Sequence, residues 1–200
     1  AGVTQTINRV VERTVERVVP GPTQTATVIK EVPVIVTEED LIVSAIKNSE
    51  PAILKIVLAS DPTKTISSGF IFSPDGLVAS IIDRSLTPTR NQKYKAVLAN
   101  GEVQDLEPVE EISGVTVFQL PKILVAENKF AFLELASGEL SVGQTVLAIG
   151  ASITLGEPNI SISKIGAIIP GGATSTPVIK TIAASGDNFG GPIVNIKGHV

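Results

Sequence analysis

Two hundred residues suffice for one large β domain or two small ones, with a core that needs no covalent staple. A net charge of −4, from 16 basic and 20 acidic side chains without a strong basic cluster, excludes nucleic acid as the main partner, because phosphate binding needs several convergent Lys or Arg. The absence of Cys excludes disulfides, thiolate nucleophiles and thiolate metal sites, while 43% apolar residues, 17 Gly and 13 Pro with few aromatics favour short strands joined by turns.

No run of about 18 apolar residues is present to span a bilayer, and no basic segment followed by an apolar one marks a signal peptide. The sequence contains no Met, so it reads as a processed or excised piece, which leaves room for an anchor in a preceding segment.

At the N-terminus two patterns compete. Ile7, Val11, Thr14 and Val18 follow the alternating four- and three-residue steps of a coiled coil, whereas Ile7, Val11, Val15 and Val19 also line one side of an extended stretch. Arg9, Arg13 and Arg17 repel one another at helical spacing, and fewer than two heptads are available. Helix and extended stalk both stay open here, and Pro20-Gly21-Pro22 stops either. An extended arm runs from Thr23 to Val36. Thr37 then caps a short helix with Glu38, Glu39 and Asp40 in its first turn, a buried stripe of Leu41, Ile42, Ala45 and Ile46, and Pro51 at its end.

Strand candidates follow at 52–59, 68–73, 77–82, 95–98, 115–120, 145–149, 160–168, 177–182 and 192–196. Ser73-Pro74-Asp75-Gly76 and Ala99-Asn100-Gly101-Glu102 have the chemistry of tight turns between them. Many short strands without βαβ alternation predict an all-β sandwich or a pair of barrels.

Three landmarks, taken in order, resemble the HtrA branch of the trypsin-like serine proteases. They are the stretch Ser68-Gly-Phe-Ile-Phe-Ser-Pro-Asp-Gly-Leu-Val-Ala-Ser80, the strand Val142-Gly-Gln-Thr-Val-Leu-Ala-Ile-Gly150, and the turn Asp187-Asn-Phe-Gly-Gly-Pro192, where Gly-Asn-Ser-Gly-Gly-Pro is usual. The likeness begins near Ser49 and covers about three quarters of the chain. It implies two Greek-key β barrels packed face to face, with polypeptide bound in the cleft between them. The expected division is a stalk or arm at 1–36, a short helix at 37–51, a first barrel at 52–125 and a second at 126–200. Because the family continues into another strand and a helix after Gly198-His-Val200, the second barrel is expected to be incomplete.

The same likeness places the catalytic positions. The family's histidine falls on Asp83 when aligned from Gly76 without a gap, its aspartate on Gly114, and its serine on Phe189. A benzyl group carries neither a nucleophilic oxygen nor a proton for a base, and the other two replacements cannot serve as base and orienting carboxylate. Asp187 replaces a glycine of the oxyanion loop, whose remaining members are Asn188, Gly190 and Gly191, and its charge opposes a developing oxyanion. The expectation is therefore a pseudoprotease and not an enzyme. Phe189, with Ser185 beside it, is either a plug in the old cleft or an aromatic anchor for a bound peptide.

Other residues carry weaker signals. His199, the sole histidine, stands second from the end and reads as a surface residue. Ser67, Ser68 and Ser185, with Lys64 or Lys180 as base, are conceivable nucleophiles, but serines beside glycine are expected in turns. Asp83 beside Arg84 reads as a solvated acid, and no grouping suggests a metal or cofactor. The function expected is binding of polypeptide segments or other protein subunits, with an assembly role as the alternative and a hydrolase using a different site as the next. By resemblance the chain is expected outside the cytoplasm and in a homo-trimer joined through its N-terminal region.

Overall fold

A computed structural model describes residues 7–11, 32–83, 92–122, 130–151, 158–171, 177–182 and 188–200. The chain divides into two units, Ala1–Val43 and Ser44–Val200. In the first, β1 (Ile7–Val11) pairs antiparallel with β2 (Val32–Val36), in a register running from Ile7 opposite Val36 to Val11 opposite Val32. The helical alternative therefore fails over these five residues. The rest of the proposed heptads, at 12–18, lies outside the described residues.

Helix α1 (Glu38–Ser49) starts where its sequence says it should. Thr37 Oγ1 accepts from Asp40 N–H at 3.1 Å, and Asp40 Oδ2 accepts in return from Thr37 N–H at 3.0 Å, so two orphan donors of the first turn are satisfied reciprocally. The Thr37 hydroxyl also donates to Asp40 Oδ2 at 2.7 Å, and this bond first, then the one from Thr37 N–H, holds the Asp40 carboxyl below its usual range. A 3₁₀ turn over Glu50–Ala52, with Pro51 inside it, ends the helix. Ala45 and Ser49 are buried, and the left-handed Gly198 packs beside them.

Six strands close a barrel in the order β3 (Ile53–Leu58), β4 (Asp61–Ile71), β5 (Leu77–Ser80), β8 (Val115–Gln119), β7 (Val103–Ile112) and β6 (Tyr94–Val97), all neighbours antiparallel. Its core gathers Leu54, Ile56, Ile71, Val78, Leu106 and Phe118, with the Tyr94 ring edge-on to Phe118 at 5.3 Å. Both turns read from the sequence have the conformation their glycines allow. Gly76 N–H donates to Ser73 C=O and Gly101 N–H to Leu98 C=O, with φ of +77° and +85°.

Strand β7 was not among the sequence candidates. Its ten residues include five acids or prolines on the exposed side, and only Leu106 is fully buried, so the apolar alternation that marks a strand is nearly absent. Its place is set by neighbours: Gln104 opposite Ala96 and Pro108 opposite Phe118.

The second half forms a four-stranded sheet in the order β11 (Val178–Thr181), β10 (Asn159–Ile169), β9 (Thr145–Gly150) and β12 (Ile193–Asn195). Among the described residues this sheet is open, not a closed barrel. All six residues of β9 are buried, as its unbroken apolar run requires of a strand covered on both faces. The expected class, mostly β with one short helix, is the class found. No helix among the described residues is long and apolar enough to cross a membrane.

Candidate functional site

The turn Asn188–Gly191 enters β12 and is held from both halves of the unit. From the second sheet, the amide of Asn188, itself buried, donates to Ser161 Oγ at 3.1 Å and more weakly to Ala148 C=O at 3.4 Å. Gly191 N–H closes the turn on Asn188 C=O at 3.0 Å, and a Cβ at Gly191 would overlap Ile149 C=O. From the first barrel, Ser68 N–H donates to Phe189 C=O at 2.9 Å. Ser68 Oγ in turn accepts from Ala151 N–H at 2.9 Å, just past the end of β9.

Gly190 fits a recess at one end of the barrel made by the two serines that face the barrel core, Ser67 on β4 and Ser80 on β5. Its φ is +79°, and a Cβ there would overlap Ser67 Oγ and Ser68 C=O and stand 2.8 Å from Ser80 Oγ. Only glycine satisfies both the conformation and the space. Ser67 Oγ lies 2.9 Å from Ser80 Oγ and donates to Ile81 C=O at 2.6 Å, and Ser80 Oγ donates to Ser68 C=O at 2.6 Å. Ser67 also stands 3.4 Å from Phe189 C=O. One hydroxyl thus reaches the carbonyls of two residues whose apolar side chains are turned outward: Ile81, 45% exposed, and Phe189, 39% exposed.

The positions named from the sequence fall as follows. Asp83 lies three residues beyond β5 and is exposed, and Gly114 occupies the exposed β7–β8 turn with φ of +85°. Both stand at the end of the β5–β8 ladder where Ser80 faces Thr116, which is also the end that receives Gly190. Ser185 and Asp187 lie outside the described residues. Ser67, expected in a turn, and Ser68, read both as a turn serine and as the start of the strand candidate 68–73, are interior residues of β4, 4% and 3% exposed. That burial removes them as nucleophiles for a substrate arriving from solvent. Lys64 and Lys180 are exposed. His199 stands 3.8 Å from Glu134 and hydrogen-bonds through its backbone to Asn195. Three or more metal-binding side chains do not cluster among the described residues.

No family model matches the sequence, and no curated protein matches it. Solved structures do. The chain is similar to Deg5, with a TM-score of 0.65 at 20% identity over 81% of this chain and 82% of that one. It is similar to a serine endoprotease from Yersinia pestis, with a TM-score of 0.61 at 19% identity over 80% of this chain and 55% of that one. It is also similar to AlgW, an HtrA-type protease solved with a tripeptide, with a TM-score of 0.62 at 19% identity over 80% of this chain and 52% of that one. The chain thus spans about half the length of the latter two. These likenesses show the fold, the trypsin-like fold of the HtrA and Deg proteases.

They also correct one expectation. The sequence led to a chain that is not an enzyme, whereas the structures sharing its fold include a serine endoprotease and an HtrA-type protease. The expectation rested on three positions placed by likeness, Asp83 by an ungapped alignment from Gly76 and Gly114 and Phe189 by their own motifs.

Proposed function

We propose that this domain, built on the fold of the HtrA-type proteases, takes hold of extended polypeptide at the turn carrying Phe189. The observation that supports this best is a part-exposed aromatic ring on a backbone pinned from both halves of the unit. An anchor held in place before binding loses little freedom when a peptide side chain packs on it. Ile81, whose carbonyl shares a hydroxyl with that of Phe189, extends the apolar floor. The tripeptide held by AlgW supports polypeptide as the ligand class, and main-chain hydrogen bonds to a sheet edge are the general way such ligands are gripped.

The test is a titration of fluorescent peptides bearing one apolar residue against the protein and its Phe189→Ala variant. Loss of the ring is expected to weaken binding roughly ten-fold, the scale of about 1.4 kcal/mol for part of an aromatic contact. Equal affinity for both proteins refutes the assignment. Mass spectrometry of the same samples reads cleavage separately.

A second reading, association with other protein subunits, draws on the apolar pair Ile169 and Val178, adjacent across β10 and β11 and 42% and 55% exposed. Sedimentation equilibrium tests it: a monomer at every concentration rules it out as self-association. The likeness to HtrA-type proteases is likewise our ground for proposing an extracytoplasmic location, which fractionation of the source cells checks.

A further inference from the structure

We infer that Ser67 is a positioning residue for the peptide-binding turn, setting the spacing between Ile81 and Phe189. The inference rests on the reading of those two side chains as the apolar floor, and it concerns what holds them.

Two hydroxyls, Ser67 and Ser80, supply two protons to more acceptors than two. The shortest contacts are Ser67 to Ile81 C=O and Ser80 to Ser68 C=O, each 2.6 Å. With both protons used in this way, none is left for the Oγ to Oγ contact of 2.9 Å or for Phe189 C=O at 3.4 Å from Ser67. Rotation of the Ser67 hydroxyl toward Phe189 releases Ile81, and rotation back reverses this. Both serines are almost fully buried, at 4% and 1% exposure, so their hydroxyls are shielded from bulk water and the choice of acceptor carries weight.

The two serines differ in reach. Ser67 contacts both floor residues, whereas Ser80 touches Ile81 C=O only at 3.4 Å and has its proton committed to Ser68. Removal of either hydroxyl takes one buried polar group from the same recess. Only removal of the Ser67 hydroxyl takes a contact from both floor residues, leaving Phe189 C=O to the Ser68 N–H alone.

The chain contains no Trp, so Phe189→Trp places a single indole at the site. In that background Ser67→Ala and Ser80→Ala are compared by indole emission, acrylamide quenching and thermal midpoint. Ser67→Ala is expected to shift the emission and raise the quenching constant, while Ser80→Ala lowers the midpoint by a similar amount and leaves both optical readings in place. Equal optical changes in the two variants, or none in Ser67→Ala, overturn the inference. Should an alanine variant fail to fold, Ser67→Thr, which keeps the hydroxyl, takes its place: unchanged emission supports the inference and a shift opposes it. In the same variants, without the Trp, affinity for the apolar peptide is expected to fall about three- to ten-fold with Ser67→Ala, the range of one hydrogen bond. If no peptide binds any form of the protein, the functional reading fails while the optical comparison still decides the role of Ser67.

Discussion

Replacing Gly190 by Ala asks the most of the structure, because the cost has two parts that can be measured apart. The first is conformational: at φ +79° an L side chain is destabilised by about 1 kcal/mol relative to Gly. The second is steric. The added carbon would overlap Ser67 Oγ and Ser68 C=O, and the latter is strand backbone that cannot swing aside. Overpacking of this kind costs about 1–3 kcal/mol. Gly101 isolates the first part, since its φ is +85° and no atom lies within 4 Å of an added carbon. Gly101→Ala should therefore lose about 1 kcal/mol, and Gly190→Ala about 3 kcal/mol, a large share of a typical domain's stability. Urea unfolding followed by far-UV circular dichroism gives both, with unchanged m-values confirming that the unfolded states are comparable. Equal losses in the two variants would mean that Gly190 is not seated in the serine recess, and the account of the binding turn would fall with it.

Three further outcomes are expected. Phe118→Ala empties the centre of the first barrel, where the ring is fully buried against Tyr94, and should cost about 3–5 kcal/mol; Tyr94 is the sole tyrosine, so a near-ultraviolet signal that survives intact would refute the packing. Asp40 titrates below its usual range because Thr37 hydrogen-bonds its charged form, so the cap's contribution is complete above the unfolded carboxyl pKa and is lost as pH falls through the lower folded one. Thr37→Val, which removes the hydroxyl and keeps the backbone N–H bond, should raise Asp40 part of the way back to the ordinary range, as read by carboxyl carbon NMR shifts, and an unmoved midpoint would show that the hydroxyl is not the main cause. Lys95→Met should likewise raise the Asp105 carboxyl, which Lys95 holds low by a 2.9 Å hydrogen bond and by its charge, with little change in stability because the pair is exposed.

Much of the fold could be read where local chemistry and tertiary demand agree. Thr37 and Pro51 bracket the helix, Gly76 and Gly101 sit in turns that need positive φ, and the apolar run from Thr145 to Gly150 is a strand buried on both faces. Reading failed where the partner strand decides. Residues 61–67 lay outside the strand candidates, yet they belong to β4, where Thr65 pairs with Val57 and Asp61 with Leu58 of β3. The acids of β7 face outward, and they hide a strand that closes the barrel. The site was half visible. Phe189 stood out as an aromatic in a glycine turn, but Ser67 looked like a turn residue and Ser80 like an ordinary strand residue, since nothing local says that two serines in neighbouring strands converge on a glycine over a hundred residues away. A small polar residue interrupting the inward-facing positions of a strand was the available signal.

The contact between Ser67 and Phe189 spans 122 positions of chain. Hairpins such as β4–β5 close over a few residues and form on microsecond scales, but this joint closes a loop more than half the length of the molecule. Topologies weighted toward such distant pairings fold slowly, and their long-range joints wait for the elements on either side. We expect the binding turn to be completed after the barrel and the β9–β12 ladder exist, and to open before either does. A nascent or partly unfolded chain would then carry an intact barrel and no grip on peptide, so that ligand capture, followed during refolding, should lag behind the recovery of the Tyr94 signal.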